Sequence, residues 1–276
     1  MPDYHLHTPY CRHAEGAMEQ YARQALSLGL EEVCFTPHMP PVPGFARGPD
    51  WLRMAPDDME RYLRDLETVR SRHPSLRILC GIEADFYDGS EEKTGELLAR
   101  YPFDLVLMSV HFLRDWPGEN WVFDFAGLRK PLPEVYHDYF SALKRGIRTG
   151  LYDAVAHLDL IRQPGHPVLA GGAQEVEETL ALAAGAGMSL EINTGGMRRQ
   201  LAQPYPAPEI LQLASRLNMR VITGSDAHEP HLVGYGFDQV QGWIQGHPGL
   251  QAVRYRGRKA QPMPSASGIA SPLRRG

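Results

Sequence analysis

The sequence predicts a single-domain α/β fold, a TIM-like barrel of seven strand–helix units. Three observations predict it. The chain has 276 residues, long for an ordinary domain and normal for one α/β barrel. Short apolar runs alternate with longer amphipathic stretches, the pattern of parallel strands joined by crossover helices. Histidines and carboxylates recur at the C-terminal ends of those runs, where parallel α/β folds build their sites. A closed or nearly closed barrel is preferred over an open doubly wound sheet, and no internal repeat is visible.

The elements follow in order. The first strand is Asp3–His7. A helix follows it, with Met18, Tyr21, Ala22, Ala25 and Leu26 on one face and Gly29 placed to end it. The second strand is Val33–Pro37. The Pro- and Gly-rich stretch Pro40–Asp50, which carries Arg47, reads as a long loop over the site. Asp57 and Asp58 start a helix whose apolar face is Met59, Tyr62, Leu63, Leu66 and Val69. Strands Ile78–Glu83, Leu105–His111, Ala154–His157, Leu190–Asn193 and Val221–Ser225 complete the set of seven. Helices are predicted over Glu134–Ile147, Glu175–Ala184 and Glu209–Leu217, the last with Pro208 near its first turn. A final strand runs through Ala252–Tyr255. Residues 1–260 form the domain. The remainder, 261–276, is poor in large apolar residues and reads as a disordered tail.

Composition limits the function. An apolar fraction of 43% supports a sizeable core. A net charge of -5 lacks the broad basic footprint of a nucleic-acid binder, yet leaves room for a local basic pocket. No apolar run approaches membrane-spanning length. The three cysteines, Cys11, Cys34 and Cys80, have no C-x-x-C spacing and read as reduced, buried thiols. With no signal peptide ahead of M-P-D-Y-H-L-H, the cytoplasm is the expected location.

Twelve histidines are many for this length. His5 and His7 end the first strand, and His38 follows the second. Glu83 ends the third, His111 the fourth and His157 the fifth. Asp226 and His228 follow the seventh. Residues i and i+2 of an extended segment point the same way, so His5 and His7 can face one ion, as can Asp226 and His228. Imidazole suits zinc, iron and similar ions, and a carboxylate can bridge two of them. His13, in the turn Pro9–Glu15, is in reach of the same cleft. A lone H-x-H is weak evidence, and a single strand-end histidine is usually a hydrogen-bonded one. Strand-end ligands on six of seven strands are hard to attribute to solubility. His73, His137, His166, His231 and His247 fall on helices or loops and read as structural or solvated.

The ordered set H-L-H-T-P-Y-C-R-H, T-P-H, G-I-E-A-D, S-V-H, A-H-L-D and G-S-D-A-H resembles the PHP (polymerase and histidinol phosphatase) superfamily. The extended segments D-Y-H-L-H-T-P-Y-C-R-H-A-E-G, H-L-D-L-I-R and E-I-N-T-G-G-M-R resemble its histidinol-phosphatase branch. The resemblance runs from Asp3 to about Lys259. It implies a distorted (β/α)7 barrel and three divalent metals per chain, of zinc, iron or manganese. The implied ligands are His5, His7, His13, His38, Glu83, His111, His157, Asp226 and His228. Glu83 would bridge two ions, and His13, His38 and His228 would hold the third.

The implied reaction is hydrolysis of L-histidinol phosphate, a small phosphate ester, in histidine biosynthesis. Metal-activated hydroxide attacks phosphorus, with Glu83, Asp226 and His228 as the catalytic set. Arg162, Arg198 and Ser225 are the expected phosphate donors, because a guanidinium fork matches a phosphoryl group. Arg199 competes with Arg198, which the resemblance favours. Glu15, Arg12, the loop near Arg47 and the loop Asp115–Asp124 are candidates for the rest of the substrate, and Cys11 reads as packing. Two rival readings are a relative acting on nucleotides or phosphotyrosine, and a non-catalytic metal-binding module of the kind attached to DNA polymerases. The complete ligand set and the lack of a fused polymerase count against the second.

Overall fold

A computed structural model describes residues 1–45, 50–113, 116, 121–122, 130–162 and 166–263. Seven parallel strands, β1 (Asp3–Leu6), β2 (Glu32–Phe35), β3 (Arg77–Asp85), β4 (Leu105–Ser109), β5 (Ala154–Val155), β6 (Ser189–Asn193) and β7 (Arg220–Gly224), pair in chain order. The helices between them are α1 (Met18–Ser27), α2 (Met59–Arg72), α3 (Glu91–Ala99), α4 (Leu132–Arg148), α5 (Leu169–Gly185) and α6 (Pro208–Arg216). After β7 come α7 (Phe237–Gly246), β8 (Gln251–Arg256) and β9 (Lys259–Pro262).

The sheet curls until its first strand meets the segment after its seventh. Leu6 bridges Ala227 in parallel. His7 N–H donates to Ala227 O at 3.0 Å, and Ala227 N–H to His5 O at 3.3 Å. At its other end β7 pairs instead with β8, through Arg220↔Gln251 and Val221↔Ala252. The two ends of β7 thus have different neighbours, which is the distortion expected of this barrel. β1 also carries one extra residue against β2, since Asp3↔Val33 is followed by Leu6↔Phe35. Such a bulge re-aims side chains.

Two large apolar clusters hold the fold, with a small third of Leu52, Tyr87 and Phe112. One lies inside the curl and is built from strand residues such as Tyr4, Cys34, Leu79, Leu107, Ile222 and Tyr255. The larger one lies between strands and helices. In α4, Val135, Tyr136, Tyr139, Phe140, Leu143 and Ile147 are all buried, the spacing of one helical face. Among the described residues no helix is long and apolar enough to cross a membrane.

Some expectations need correction. α3 and α7 were not predicted. α3 buries only Thr94 and Leu98, and α7 only Phe237 and Val240, too few for a readable period. α5 begins at Leu169 rather than Glu175, with a break in helical geometry at Gly172. β9 was not predicted either. It pairs antiparallel with β8 and includes Gln261 and Pro262, so ordered structure passes the boundary expected at residue 260. The rest of the expected tail, from 264, lies outside the described residues, as does Arg47 of the Pro40–Asp50 loop.

Phe140 is fully buried and distant in sequence from any proposed ligand. Phe140→Ala is expected to cost about 3–5 kcal/mol, by the lost transfer energy and the cavity left behind. A urea titration checks this, with bound metal per chain expected to stay at the wild-type value.

Candidate metal centre

All nine predicted ligands converge at the C-terminal end of the barrel. His38 is placed by its own bridge to Glu83, with Met39 N–H donating to Glu83 O and Glu83 N–H to Pro37 O. His157 and Asp226 lie just beyond their strands at φ 21° and 55°. Non-glycine residues rarely adopt such backbone, and it clusters at functional sites.

Glu83 stands at the middle. Its Oε2 lies 3.0 Å from His38 Nδ1, 3.3 Å from His5 Nε2 and 3.6 Å from His7 Nε2. Its Oε1 lies 2.9 Å from His157 Nε2 and 3.8 Å from His111 Nε2. Asp226 Oδ1 is 3.2 Å from His7 Nε2 and 3.8 Å from His5 Nε2. His13 Nε2 and His228 Nε2 are 3.0 Å apart. Three groups of donor atoms each fit within 4.8 Å: His7, His13, His38 and His228; His5, His7 and Glu83; and His38, Glu83 and His111. Glu83 belongs to two of them, a position suited to a bridge. His7 joins the histidines expected to hold a third ion.

The far side of each ring decides whether these nitrogens can ligate. His13 Nδ1–H donates to Cys11 O at 2.7 Å, and His228 Nδ1–H to Asp226 O at 3.0 Å. Both Nε2 atoms therefore carry lone pairs, and two lone pairs 3.0 Å apart repel unless a cation lies between them. His5 Nδ1 is 2.7 Å from Glu191 Oε1, and His111 Nδ1 is 2.8 Å from Asp85 Oδ1. Such partners fix the tautomer that turns Nε2 toward a metal and make it a better donor. The residues fit divalent cations on these grounds.

Sequence reasoning assigned no role to Glu191 or Asp85, although both lie in the motif segments. Glu191 also accepts from His157 N–H at 2.8 Å, so one buried carboxylate steadies two ligands. Asp85 also accepts from His111 N–H and Ser109 Oγ. A signal existed for Asp85: it stands two residues after Glu83, on the same face of β3. Cys11, read as packing, does more. Its sulfur is 3.3 Å from His7 Nδ1 and accepts from His38 N–H at 3.3 Å.

Electrostatics agrees with ligation. Burial would raise the carboxyls of Glu83 and Asp226, but the facing imidazoles outweigh it and hold both well below the usual range. Burial and the charge of His228 hold His7 well below its usual value. Burial, His38 and His228 push His13 down to about 4. These imidazoles are neutral at pH 7, as a metal requires. His5 moves the other way: burial lowers it, but Glu191, Glu83 and Asp226 together raise it.

The expected phosphate donors already have partners within the chain. Arg162 is buried, with Nε on Asp159 at 2.7 Å, Nη1 on Gln203 at 2.6 Å and Nη2 on Pro204 O. Its guanidinium, stacked over Tyr205, is committed to holding the segment before α6. Arg198 donates to Ser225 O and Asp226 O, both at 2.8 Å, and so braces the loop that carries a ligand. Ser225 is fully buried, its N–H donating to Asp3 Oδ1 at 2.9 Å. The cleft, of about 320 Å³, is lined among the described residues by His7, His13, His38, Glu83, His111, His157, Asp226 and His228, by Trp51, Leu52, Trp121 and Leu160, and by Arg199. Arg199, the competitor of Arg198, is among these lining residues, while Arg12 and Glu15 are not. Asp115 and Asp124 lie outside the described residues.

Comparison with known proteins adds four findings. The PHP domain family matches residues 3–195. The chain is 37% identical over 265 residues to a protein of Deinococcus radiodurans named "probable histidinol-phosphatase", covering 94% of this chain and 98% of that one. It is 29% identical over 259 residues to the histidinol-phosphatase of Bacillus subtilis, covering 86% and 96%. Among solved structures, the histidinol phosphate phosphatase of Lactococcus lactis, in complex with zinc, L-histidinol and phosphate, shares the fold. Its TM-score is 0.80 at 21% identity, over 94% of this chain and 98% of that one.

Glu191→Gln keeps the shape of the side chain and removes the charge that His5 and His157 lean on. It is expected to weaken metal retention about 10–100-fold. Competition with a chelator, read as metal per chain, checks this. Retention equal to wild type would show that Glu191 does not support the ligands.

Proposed function

Because the chain belongs to the PHP domain family, we propose that it is a histidinol-phosphatase, hydrolysing L-histidinol phosphate to L-histidinol and phosphate in histidine biosynthesis. One observation carries the reading. The likeness to proteins of that name covers most of this chain and nearly all of each relative. We assign three divalent ions per chain, zinc, iron or manganese. The site of action is the cytoplasm, in keeping with three free, buried cysteines.

Divalent cations at this centre supply an acidified water and neutralise charge on the phosphoryl oxygens. The chain's own residues do the rest. Glu83 turns one oxygen toward His5, His7 and His38 and the other toward His157 and His111, so it would hold an ion on each side. Asp226 and His228 close the rim of the cluster. Arg198 keeps them there through the carbonyls of Ser225 and Asp226. Arg199 brings a guanidinium to the cleft, suited to the equatorial oxygens of a phosphoryl group. Leu52, Leu160, Trp51 and Trp121 complete the apolar lining of the cleft.

Four outcomes are expected. Chelation abolishes turnover, and adding back zinc, manganese or iron restores part of it; full activity in a verified metal-free sample would sink the proposal. In a panel of L-histidinol phosphate, nucleoside monophosphates, 3',5'-bisphosphonucleotides and phosphotyrosine, the first has the highest kcat/KM; a nucleotide or phosphotyrosine in first place rejects this substrate. Arg199→Ala lowers kcat about 10²–10³-fold with metal content retained. Arg162→Ala lowers thermal stability and spares much of the turnover, since its donors serve the fold.

A further inference from the structure

The cleft has two kinds of lining. Histidines, carboxylates and Arg199 make one; Trp51, Leu52, Trp121 and Leu160 make the other. Leu52 and Leu160 are buried and serve as packing. Trp51 is different. At 54% it is the most exposed large apolar side chain among the described residues. Leaving so much indole in water forfeits the burial that normally rewards a tryptophan. A large apolar surface exposed inside a cleft marks a binding surface.

The two indoles flank the metal ligands. Trp51 sits edge-to-face with His13, ring centroids 6.1 Å apart at 81°. Trp121 sits edge-to-face with Phe112 at 5.1 Å and 89°, and Phe112 in turn lies 6.5 Å from His111. One indole thus stands on the His13 side of the cluster and the other on the His111 side. A phosphate ester held among these ligands would have an indole on either side, so its leaving group would lie against indole.

We propose that Trp51 and Trp121 form the leaving-group subsite and select an alcohol that carries a flat ring. The inference rests on the phosphatase reading above and deepens it. An imidazole presents a planar face to stack on indole, and the cationic amine beside it gains from the negative face of the same ring. Alcohols without a ring leave the indoles unmatched.

The test uses full-length, metal-loaded enzyme and two esters, L-histidinol phosphate and the ring-free β-glycerophosphate. Trp51→Ala and Trp121→Ala are each expected to raise KM for the first about tenfold, the scale of one lost stacking contact. kcat/KM for the second is expected to stay within twofold of wild type. Trp51→Phe and Trp121→Phe should recover most of the loss, and calorimetric binding of L-histidinol should weaken in step with KM. Three results overturn the proposal: unchanged KM in both alanine variants, equal losses on both esters, or losses that follow metal content measured in the same samples. The phosphatase reading is judged separately, by wild type alone on the substrate panel. If wild type prefers another ring-bearing ester, that reading falls, and the ring-to-ring-free ratio is read on the preferred ester.

Discussion

Much of this structure depends on one buried anion. Glu83 is 1% exposed, and five imidazoles face its two oxygens. A carboxylate taken out of water at this depth is tolerable only with compensating charge close by. His5, His38 and His157 provide part of it, while His7 is held neutral by burial and by His228. The arrangement makes physical sense as a pair of anions, Glu83 and Asp226, that keep cations at the open end of a barrel. Metal binding and the integrity of this end of the fold are then one property, as linkage between binding and folding requires.

A second layer makes the first precise. Six of the ligating rings would swing freely if only Nε2 were held. Glu191, Asp85 and the carbonyls of Cys11 and Asp226 hold Nδ1 of four, and the sulfur of Cys11 lies against a fifth, that of His7. These partners come from strands, or from turns directly continuous with strands, so they inherit the rigidity of the sheet. Asp3 extends the same logic outward: it accepts from Ser225 N–H and Gly234 N–H and so ties β1 to the loop that carries Asp226 and His228.

The legibility of the sequence follows from where direction is decided. A side chain on a strand has its direction set by the period of two, so His5, Glu83 and their partners could be placed from spacing alone. Beyond a strand end that rule stops. Arg162 and Arg198 follow their strands at the right distance, yet Arg162 donates to Asp159, Gln203 and Pro204 O, and Arg198 to the carbonyls of Ser225 and Asp226. Arg198 ends a 3₁₀ turn, Gly195–Arg198, and the chain straightens at Arg199, whose side chain then reaches the cleft. Nothing in two adjacent arginines announces which one that will be. The missed helices fail for another reason. α3 and α7 bury so few side chains that tertiary position, and not amphipathic pattern, makes them helical.

Gly224 shows how closely fold and chemistry are joined. It ends β7, where a barrel normally packs a branched side chain inward. A Cβ there would meet Glu191 Oε1 at 2.0 Å and His5 Cβ at 2.6 Å. The space that a valine or isoleucine would fill is taken by a carboxylate and the imidazole it orients. Lower in the barrel the interior is apolar, with Tyr4, Leu79, Leu107 and Ile222, and stability comes from packing. At the level of Gly224 the interior is polar and must be held by charge complementarity instead. The change from one regime to the other takes a single step along β1, from Tyr4 in the apolar cluster to His5 in the histidine cluster. The extra residue in β1 is what permits two consecutive side chains to serve the same interior. The bulge and the glycine are therefore adaptations of the barrel to its contents, and a sequence lacking either would have to give up apolar packing below or ligation above.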